Sequence, residues 1–410
     1  MPELFNVVTP SEAWRVLDAH IKPLMGMERI KSGEAVGRIT AETIYSLENL
    51  PAFPRATMDG YAVRAKDTYG ASEGLPAYLR VVGEVLMGHP AMVIIRPAEA
   101  VRVHTGGMLP QGADAVVMVE NTQSVDASTI EVVRPVAPGE NVLRIGEDTK
   151  VGEVLFEAGH LLRPQDIGGL MALGLTEINV FLRPRVSIIS TGDEIVSPER
   201  VPMPGQVRDI NTYTTTALTQ QAGAIALTQS IVPDDCDQLK EAAFSALGRA
   251  EILVISAGSS VSTRDMTATV IESLGKPGIL VHGVSLRPGK PTILAVVNER
   301  PVFGLPGNPV SSMVAFDLFV KPAIYKVAGC KAPPPSPKVV ARLTHNLPST
   351  TGREDYVPVK LERRGDGLWA TAIFGESNLI TLLIRSDGLA KVPLDKHGLS
   401  EGESVSVGLF

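Results

Sequence analysis

The sequence predicts a multidomain α/β protein: a doubly wound α/β domain, a β-rich insertion domain, a linker/helical part and a small C-terminal β-barrel. Three observations predict it. Strands alternate with helices between about residues 183 and 328, the pattern of a parallel sheet covered on both faces. Short β runs separated by Gly/Pro turns fill the stretch from Pro51 to about Val142. The run Pro333-Pro334-Pro335-Ser336-Pro337 reads as a linker, and the chain beyond it is β-rich.

The elements follow in chain order. Residues 10–45 carry helical periodicity, with Ser11 as the expected N-cap and Val16, Leu17 and Ile21 on one face. In the insertion the expected strands are Tyr78–Val85, Ala100–Val103, Ala115–Val119 and Thr129–Val133. A helix is expected over Pro164–Leu173, ended by Gly174. In the α/β region Val186–Ser190, Ile252–Ser256, Thr292–Val297 and Val302–Gly304 read as strands. The intervening helices are Thr212–Gln221, with Asn211 as its N-cap, Asp234–Leu247, Asp265–Leu274 and a long helix over Val310–Val327. In the tail Val339–Leu343, Tyr356–Leu361, Trp369–Ile373, Ala390–Pro393 and Ser404–Leu409 read as barrel strands, with a hairpin turn at Gly365-Asp366-Gly367.

Composition narrows the function classes. At roughly 100–200 residues per domain, 410 residues suggest two to four domains. A net charge of −7 with no basic block argues against nucleic-acid binding, so an anionic ligand would need local cations or backbone N–H groups. The two cysteines, Cys236 and Cys330, show no metal-ligand or disulfide spacing. Met1–Phe5 lacks a basic region leading into an apolar run, and no stretch of about 18 uninterrupted apolar residues occurs. The expectation is a cytoplasmic protein with no membrane partner.

Four loops of the α/β region have strand–loop–helix logic suited to an anion, because ligands of open α/β sheets sit beyond the carboxyl ends of the strands. The first is Ser190-Thr191-Gly192-Asp193-Glu194; the second is Ser256-Ala257-Gly258-Ser259-Ser260, followed by Asp265. The third, Arg287-Pro288-Gly289-Lys290-Pro291, sets two cations in a proline-stiffened loop. In the fourth, Gly304–Ser311, Asn308 is placed to cap a helix and Pro309 to occupy its first position. Each alone is compatible with a plain structural turn. Four in one domain favour a phosphorylated ligand, and the carboxylates among them point to Mg2+ held through oxygens and water.

Two segments of the insertion, Pro54-Arg55-Ala56-Thr57-Met58-Asp59-Gly60-Tyr61-Ala62 and His104-Thr105-Gly106-Gly107-Met108-Leu109-Pro110-Gln111-Gly112-Ala113-Asp114-Ala115-Val116-Val117, resemble signatures of the MoeA/gephyrin E-domain family. The Ser190–Glu194, Arg287–Pro291 and Gly304–Ser311 loops match as well, so the resemblance covers essentially the whole chain in order. It implies a molybdenum insertase: molybdate and adenylylated molybdopterin are the substrates, AMP is released, and Mg2+ assists. The implied partners are a second copy in a homodimer, the enzyme that supplies adenylylated molybdopterin, and molybdoenzyme maturation factors. The implied division is an N-terminal helix in 1–26, an elongated linker/dimerisation domain in 27–50 and 143–182, the insertion in 51–142, a molybdopterin-binding domain in 183–330 and the barrel in 335–410.

The resemblance implies catalytic roles for Asp59, Asp193, Glu194 and Lys290, with Asp59 reaching the cleft from the partner chain near Thr105 and Gly106. Asp193, Glu194 and Asp265 are the implied metal-side carboxylates. Thr191, Gly192, Asp209, Asn211, Ser256, Gly258, Ser259, Asp265, Arg287, Pro288, Gly289, Gly307, Asn308, Pro309, Ser311 and Ser386 are the implied substrate contacts, together with Thr105 and Gly106. Asp148 matches a further acidic position. Read without the family, Asp59 is equally an Asp that closes its own turn. One stretch departs from the family: Ala257 and Ser262 stand where glycines are usual and Thr263 where an acid is usual, while Arg264 adds a cation. Two rival readings share the fold, an enzyme that merely binds or hydrolyses the pterin nucleotide and a peptide-binding scaffold.

Overall fold

The computed structural model describes residues 7–24, 26–228, 231–257 and 261–410, with the backbone alone at 261–264. By contacts the chain divides into two units. One holds the residues up to Glu42, Ala158–Ile167 and Glu177–Phe410; the other holds Thr43–Glu157 and Gly168–Thr176.

The first unit is built on a six-stranded sheet in the order Ile225–Thr228, Arg185–Ser190, Ile252–Ser256, Arg300–Leu305, Ile293–Val297, Pro277–His282. Every residue of Ile252–Ser256 is buried, because side chains alternate between two covered faces. Ile252 and Val254 pack with Leu17, Phe303, Phe316 and Phe319, whereas Leu253 and Ile255 pack with Leu239, Ala243, Val270 and Ile271. Burying each such large side chain contributes roughly 1.5–3 kcal/mol.

The sheet is not wholly parallel, as the alternation predicted. Its first four strands are parallel, but Ile293–Val297 runs antiparallel to both of its neighbours. The cause is local: Asn298 and Glu299 both take positive φ (48° and 69°), forming a two-residue hairpin that makes the two strands antiparallel. Two strands, Ile225–Thr228 and Pro277–His282, were not foreseen.

Other expectations are corrected in the same unit. The first helix is Pro10–Asp18, capped by Thr9 and not Ser11: the Glu12 N–H donates to Thr9 Oγ1 at 3.2 Å. Helical periodicity does not extend to residue 45; Met27–Lys31 is a strand antiparallel to Glu177–Phe181, and Pro23 lies in the connection between helix and strand. The long helix over Val310–Val327 is two helices, Pro309–Ala315 and Lys321–Val327, joined by a π turn at Phe316–Val320. Pro322 has no N–H to give its i−4 carbonyl and crowds it, so the ladder widens just before it.

A closed five-stranded barrel completes the unit, in the order Glu354–Arg364, Gly367–Ala372, Lys338–Leu343, Ser404–Leu409, Gly388–Val392, the last pairing back to the first. Val405 and Val407 alternate into its core with Ala341, Leu343, Val359, Ala370 and Ala390. Leu286–Arg287, from the α/β part, adds as a short parallel strand to Glu354 and Asp355.

The second unit contains a six-stranded, mainly antiparallel sheet in the order Ala115–Met118, Gly60–Val63, Glu99–Val103, Ala77–Glu84, Thr129–Val132, Thr122–Ser124. Val63, Leu79, Val117 and Ile130 fill one face, and Ala62, Val101, Val103 and Val116 the other.

Candidate active site

The parallel strands deliver small polar residues to one edge. Ser190 and Ser256 end adjacent strands in register, and the Thr191 N–H donates to the Ser256 carbonyl at 3.0 Å. Asn211, expected as a helix N-cap, is instead the first residue of the helix Asn211–Gln221. Its Nδ2 donates to Ser256 Oγ at 2.9 Å and to the Gly307 carbonyl at 2.7 Å, tying two strand-end loops together. The buried Asp209 carboxylate takes over near the helix start, accepting from the Thr212 N–H at 3.1 Å. Two buried atoms at this edge, Ser190 Oγ and Asn211 Oδ1, have no hydrogen-bond partner among the described residues. An orphaned buried polar atom costs about 1–3 kcal/mol, which a polar ligand can recover.

Thr191 Oγ1 donates to Asp234 Oδ1 at 3.0 Å, and the Asp234 N–H donates to Asp193 Oδ1 at 3.1 Å. Glu194 folds back over Gly192: a Cβ there would lie 2.8 Å from Glu194 Oε2. Asp265 is exposed in the helix Val261–Ser273, and Ala257 is buried, its N–H donating to the Leu305 carbonyl at 3.2 Å. Gly258 and Ser259 lie outside the described residues, as do the side chains of Ser262, Thr263 and Arg264. Among the described residues no group of three or more His, Cys, Asp and Glu side chains could hold a metal ion, so Asp193, Glu194 and Asp265 do not form such a group.

Beside this edge a cleft of about 830 Å³ opens between the α/β part and the barrel. Of the expected residues it gathers Arg287, Pro288, Gly289, Lys290, Gly307, Asn308 and Ser311. Gly289 takes φ +114°, and its carbonyl accepts from Thr292 Oγ1 at 2.7 Å, which shapes the loop that presents Lys290. Asn308 stands at the N-cap position of Pro309–Ala315 without a side-chain cap bond; its Nδ2 donates to Ser377 Oγ at 2.9 Å, linking the α/β part to the barrel.

The barrel brings residues that sequence reasoning missed. Arg353 is held by the buried Asp355 through Nε to Oδ1 at 2.9 Å and Nη2 to Oδ2 at 3.4 Å, a forked pair that fixes the guanidinium on the cleft wall. Tyr356 donates to Glu354 Oε2 at 2.7 Å; burial, and then Glu354, push its phenol up, so it stays protonated. Phe374, Glu376 and Ser377 line the same wall. No local pattern flagged them. Ser386, in contrast, is buried, its Oγ donating to the Leu383 carbonyl at 3.1 Å, and it does not line the cleft.

Asp59, Thr105 and Gly106 lie together in the second unit. Asp59 Oδ1 accepts from the Thr105 N–H at 2.7 Å and from Thr105 Oγ1 at 3.0 Å, and Gly106 takes φ +83° to shape this turn. These bonds from Thr105, backbone first, hold the exposed carboxyl below its ordinary value of 3.8, helped by His104 and Arg102. His104 Nε2 lies 2.8 Å from Glu84 Oε1.

Comparison with known proteins agrees with this architecture. Residues 8–174 match the model described as MoeA N-terminal region (domain I and II), residues 187–326 that described as "Probable molybdopterin binding domain", and residues 340–410 that described as MoeA C-terminal region (domain IV). The chain is 35% identical over 380 residues to the molybdopterin molybdenumtransferase of Nostoc, covering 91% of this chain and 86% of that one. It is 32% identical over 385 residues to the Haemophilus influenzae protein of the same name, covering 93% and 94%. A crystal structure of the molybdopterin biosynthesis MoeA protein from Pyrococcus horikoshii superposes with a TM-score of 0.85 at 33% identity, covering 99% and 100%. With three matching regions in order and relatives aligned over nearly their whole length, the chain belongs to the MoeA family.

Proposed function

We propose that this protein is a molybdopterin molybdenumtransferase that inserts molybdate into adenylylated molybdopterin and releases AMP. The observation that carries the reading is the cleft of about 830 Å³ whose lining includes Arg287, Lys290 and the fixed Arg353 guanidinium, a setting suited to an anionic ligand. Its volume lies within the range of about 300–1,000 Å³ that small-ligand sites occupy.

Molybdate is a dianion and the pterin nucleotide carries phosphates, so their mutual repulsion is the first barrier. Arg287, Lys290 and Arg353 offset it, and Asn308, Ser311 and Ser377 orient oxygens by hydrogen bonds. A molybdate oxygen or a water attacks phosphorus, the phosphoanhydride bond breaks and AMP leaves. The two dithiol sulfurs then bind molybdenum, and their two protons leave with one displaced molybdate oxygen as water. The protein's share is positioning and preorganised charge.

Mg2+ enters this reading through the family resemblance: Asp193 and Glu194, which do not line the cleft, are the carboxylates that would hold it, together with substrate phosphate and water. Bound there, it would neutralise phosphate charge. The family resemblance supports a homodimer, in which Asp59 of the partner subunit would complete the cleft as an acid or metal-side group. Among the described residues no helix is long and apolar enough to cross a membrane.

The test is AMP release from adenylylated molybdopterin by the purified protein with Mg2+, with and without molybdate. Release that requires molybdate, with recovery of active cofactor, is the expected result. Release without any oxyanion would make the protein a hydrolase; no release from demonstrably bound substrate would make it a binding protein.

A further inference from the structure

A lone exposed phenylalanine carries no message, since apolar atoms make up much of any protein surface. Phe374 differs in its setting. It is 59% exposed, yet it lines the cleft that also holds Arg287, Lys290 and Arg353. A second ring backs it: the His345 and Phe374 centroids lie 5.6 Å apart with planes inclined by 44°, within the range of about 4.5–7 Å for paired rings. His345 is itself held, its Nδ1 lying 2.9 Å from Thr344 Oγ1.

The backbone on either side of Phe374 is fixed as well. The Ile373 N–H donates to the Pro358 carbonyl at 2.8 Å. Gly375 packs so closely on Leu382 that a Cβ would come within 2.8 Å of Leu382 Cδ2. An exposed aromatic ring thus lines a cation-lined cleft from a well-anchored position. Cations recognise phosphate; an exposed ring beside them recognises a planar heterocycle joined to that phosphate.

We propose that Phe374 is the stacking platform for the fused heteroaromatic ring of the cleft's phosphorylated ligand, adenine or pterin. This rests on the cleft being the site of adenylylated molybdopterin, which carries both rings. Phe374 is a specificity residue: it selects ligands that carry a ring over phosphates that do not.

The experiment is calorimetric titration of the full-length protein with AMP, neopterin monophosphate and ribose 5-phosphate, for the wild type, Phe374→Ala and Phe374→Trp. Phe374→Ala should weaken AMP, neopterin monophosphate or both by about tenfold to a hundredfold, the scale of one base–aromatic stack. Ribose 5-phosphate, which has no ring, should bind both proteins alike, and Phe374→Trp should retain ring affinity. Loss confined to AMP assigns adenine to Phe374; loss confined to neopterin monophosphate assigns the pterin. The proposal is overturned if Phe374→Ala binds both ring ligands as the wild type does, if ribose 5-phosphate weakens in parallel, or if the wild type prefers neither ring ligand to ribose 5-phosphate. Molybdate-dependent AMP release by the wild type is read separately, so failure of the stack and failure of the insertase reading give different results.

Discussion

Asp59 shows how one residue separates folding from chemistry. Its carboxylate is exposed and takes two hydrogen bonds from Thr105 on a single oxygen. Asparagine keeps an oxygen acceptor in that place and removes the charge. Asp59→Asn should therefore leave the unfolding transition close to that of the wild type, as surface substitutions usually do. In the insertase reading it should abolish molybdate-dependent AMP release. A mutant with wild-type turnover would remove Asp59 from the mechanism. The same bonds from Thr105 hold the folded carboxyl below 3.8, so the anion persists as pH falls through that value. An acid loss of activity with its midpoint above pH 3.8 thus belongs to another group.

At the scale of an element, the helix Pro164–Ala172 depends on its acidic first turn. Asp166 is buried, with Oδ2 accepting from the Arg163 N–H at 2.8 Å and lying 2.8 Å from His160 Nε2, and Oδ1 accepting from Arg163 Nη2 at 2.9 Å. Burial pushes this carboxyl up, but the bonds from Arg163 and His160 outweigh it and bring it from 3.8 to about 2. Because the folded value is the lower one, the stabilisation is complete above pH 3.8 and is lost as pH falls toward 2. At 1.36 kcal/mol per pH unit it is worth about 2 kcal/mol. Asp166→Asn should lower the unfolding free energy at pH 7 by about that amount and have little effect near pH 2. Urea titrations at the two pH values check this; equal losses at both would assign the effect to packing instead.

The whole molecule has two units with separate sheets and separate cores, joined where the chain passes between them near residues 42, 157, 167 and 176. Cooperativity follows from shared burial, and each unit buries a core of its own. Thermal unfolding should therefore depart from a two-state transition, with a calorimetric enthalpy above the van't Hoff value. A ratio of one would show that the units melt as one block. The π turn at Phe316–Val320 lies within the first unit's core, where Phe316 and Phe319 are almost fully buried, so it should melt with that core.

Much of this protein was legible in its sequence where the signal was local. The apolar run Ile252–Ser256 declared a strand buried on both faces, and the same boundaries appear in the fold. Period-two valines drew the last barrel strand, Ser404–Leu409, and the loop motifs of residues 54–62, 104–117, 287–291 and 304–311 identified the family. What remained hidden depends on pairing between distant segments. Asn298-Glu299 lacks the glycine that usually marks a two-residue hairpin, so the antiparallel half of the sheet left no local trace. Asn211 looked like a cap because capping is a short-range habit of asparagine; contact with Ser256 and Gly307, 45 and 96 residues away, redirected it. The cleft is the extreme case. Leu286–Arg287 pairs with Glu354 and Asp355, and that register sets Lys290 and Asn308 beside Arg353, Phe374 and Ser377. Residue type and spacing determined which elements could form and which loops could hold an anion. Only strand pairing across some seventy residues of chain decided which side chains share one wall, because no periodicity encodes a contact between segments so far apart.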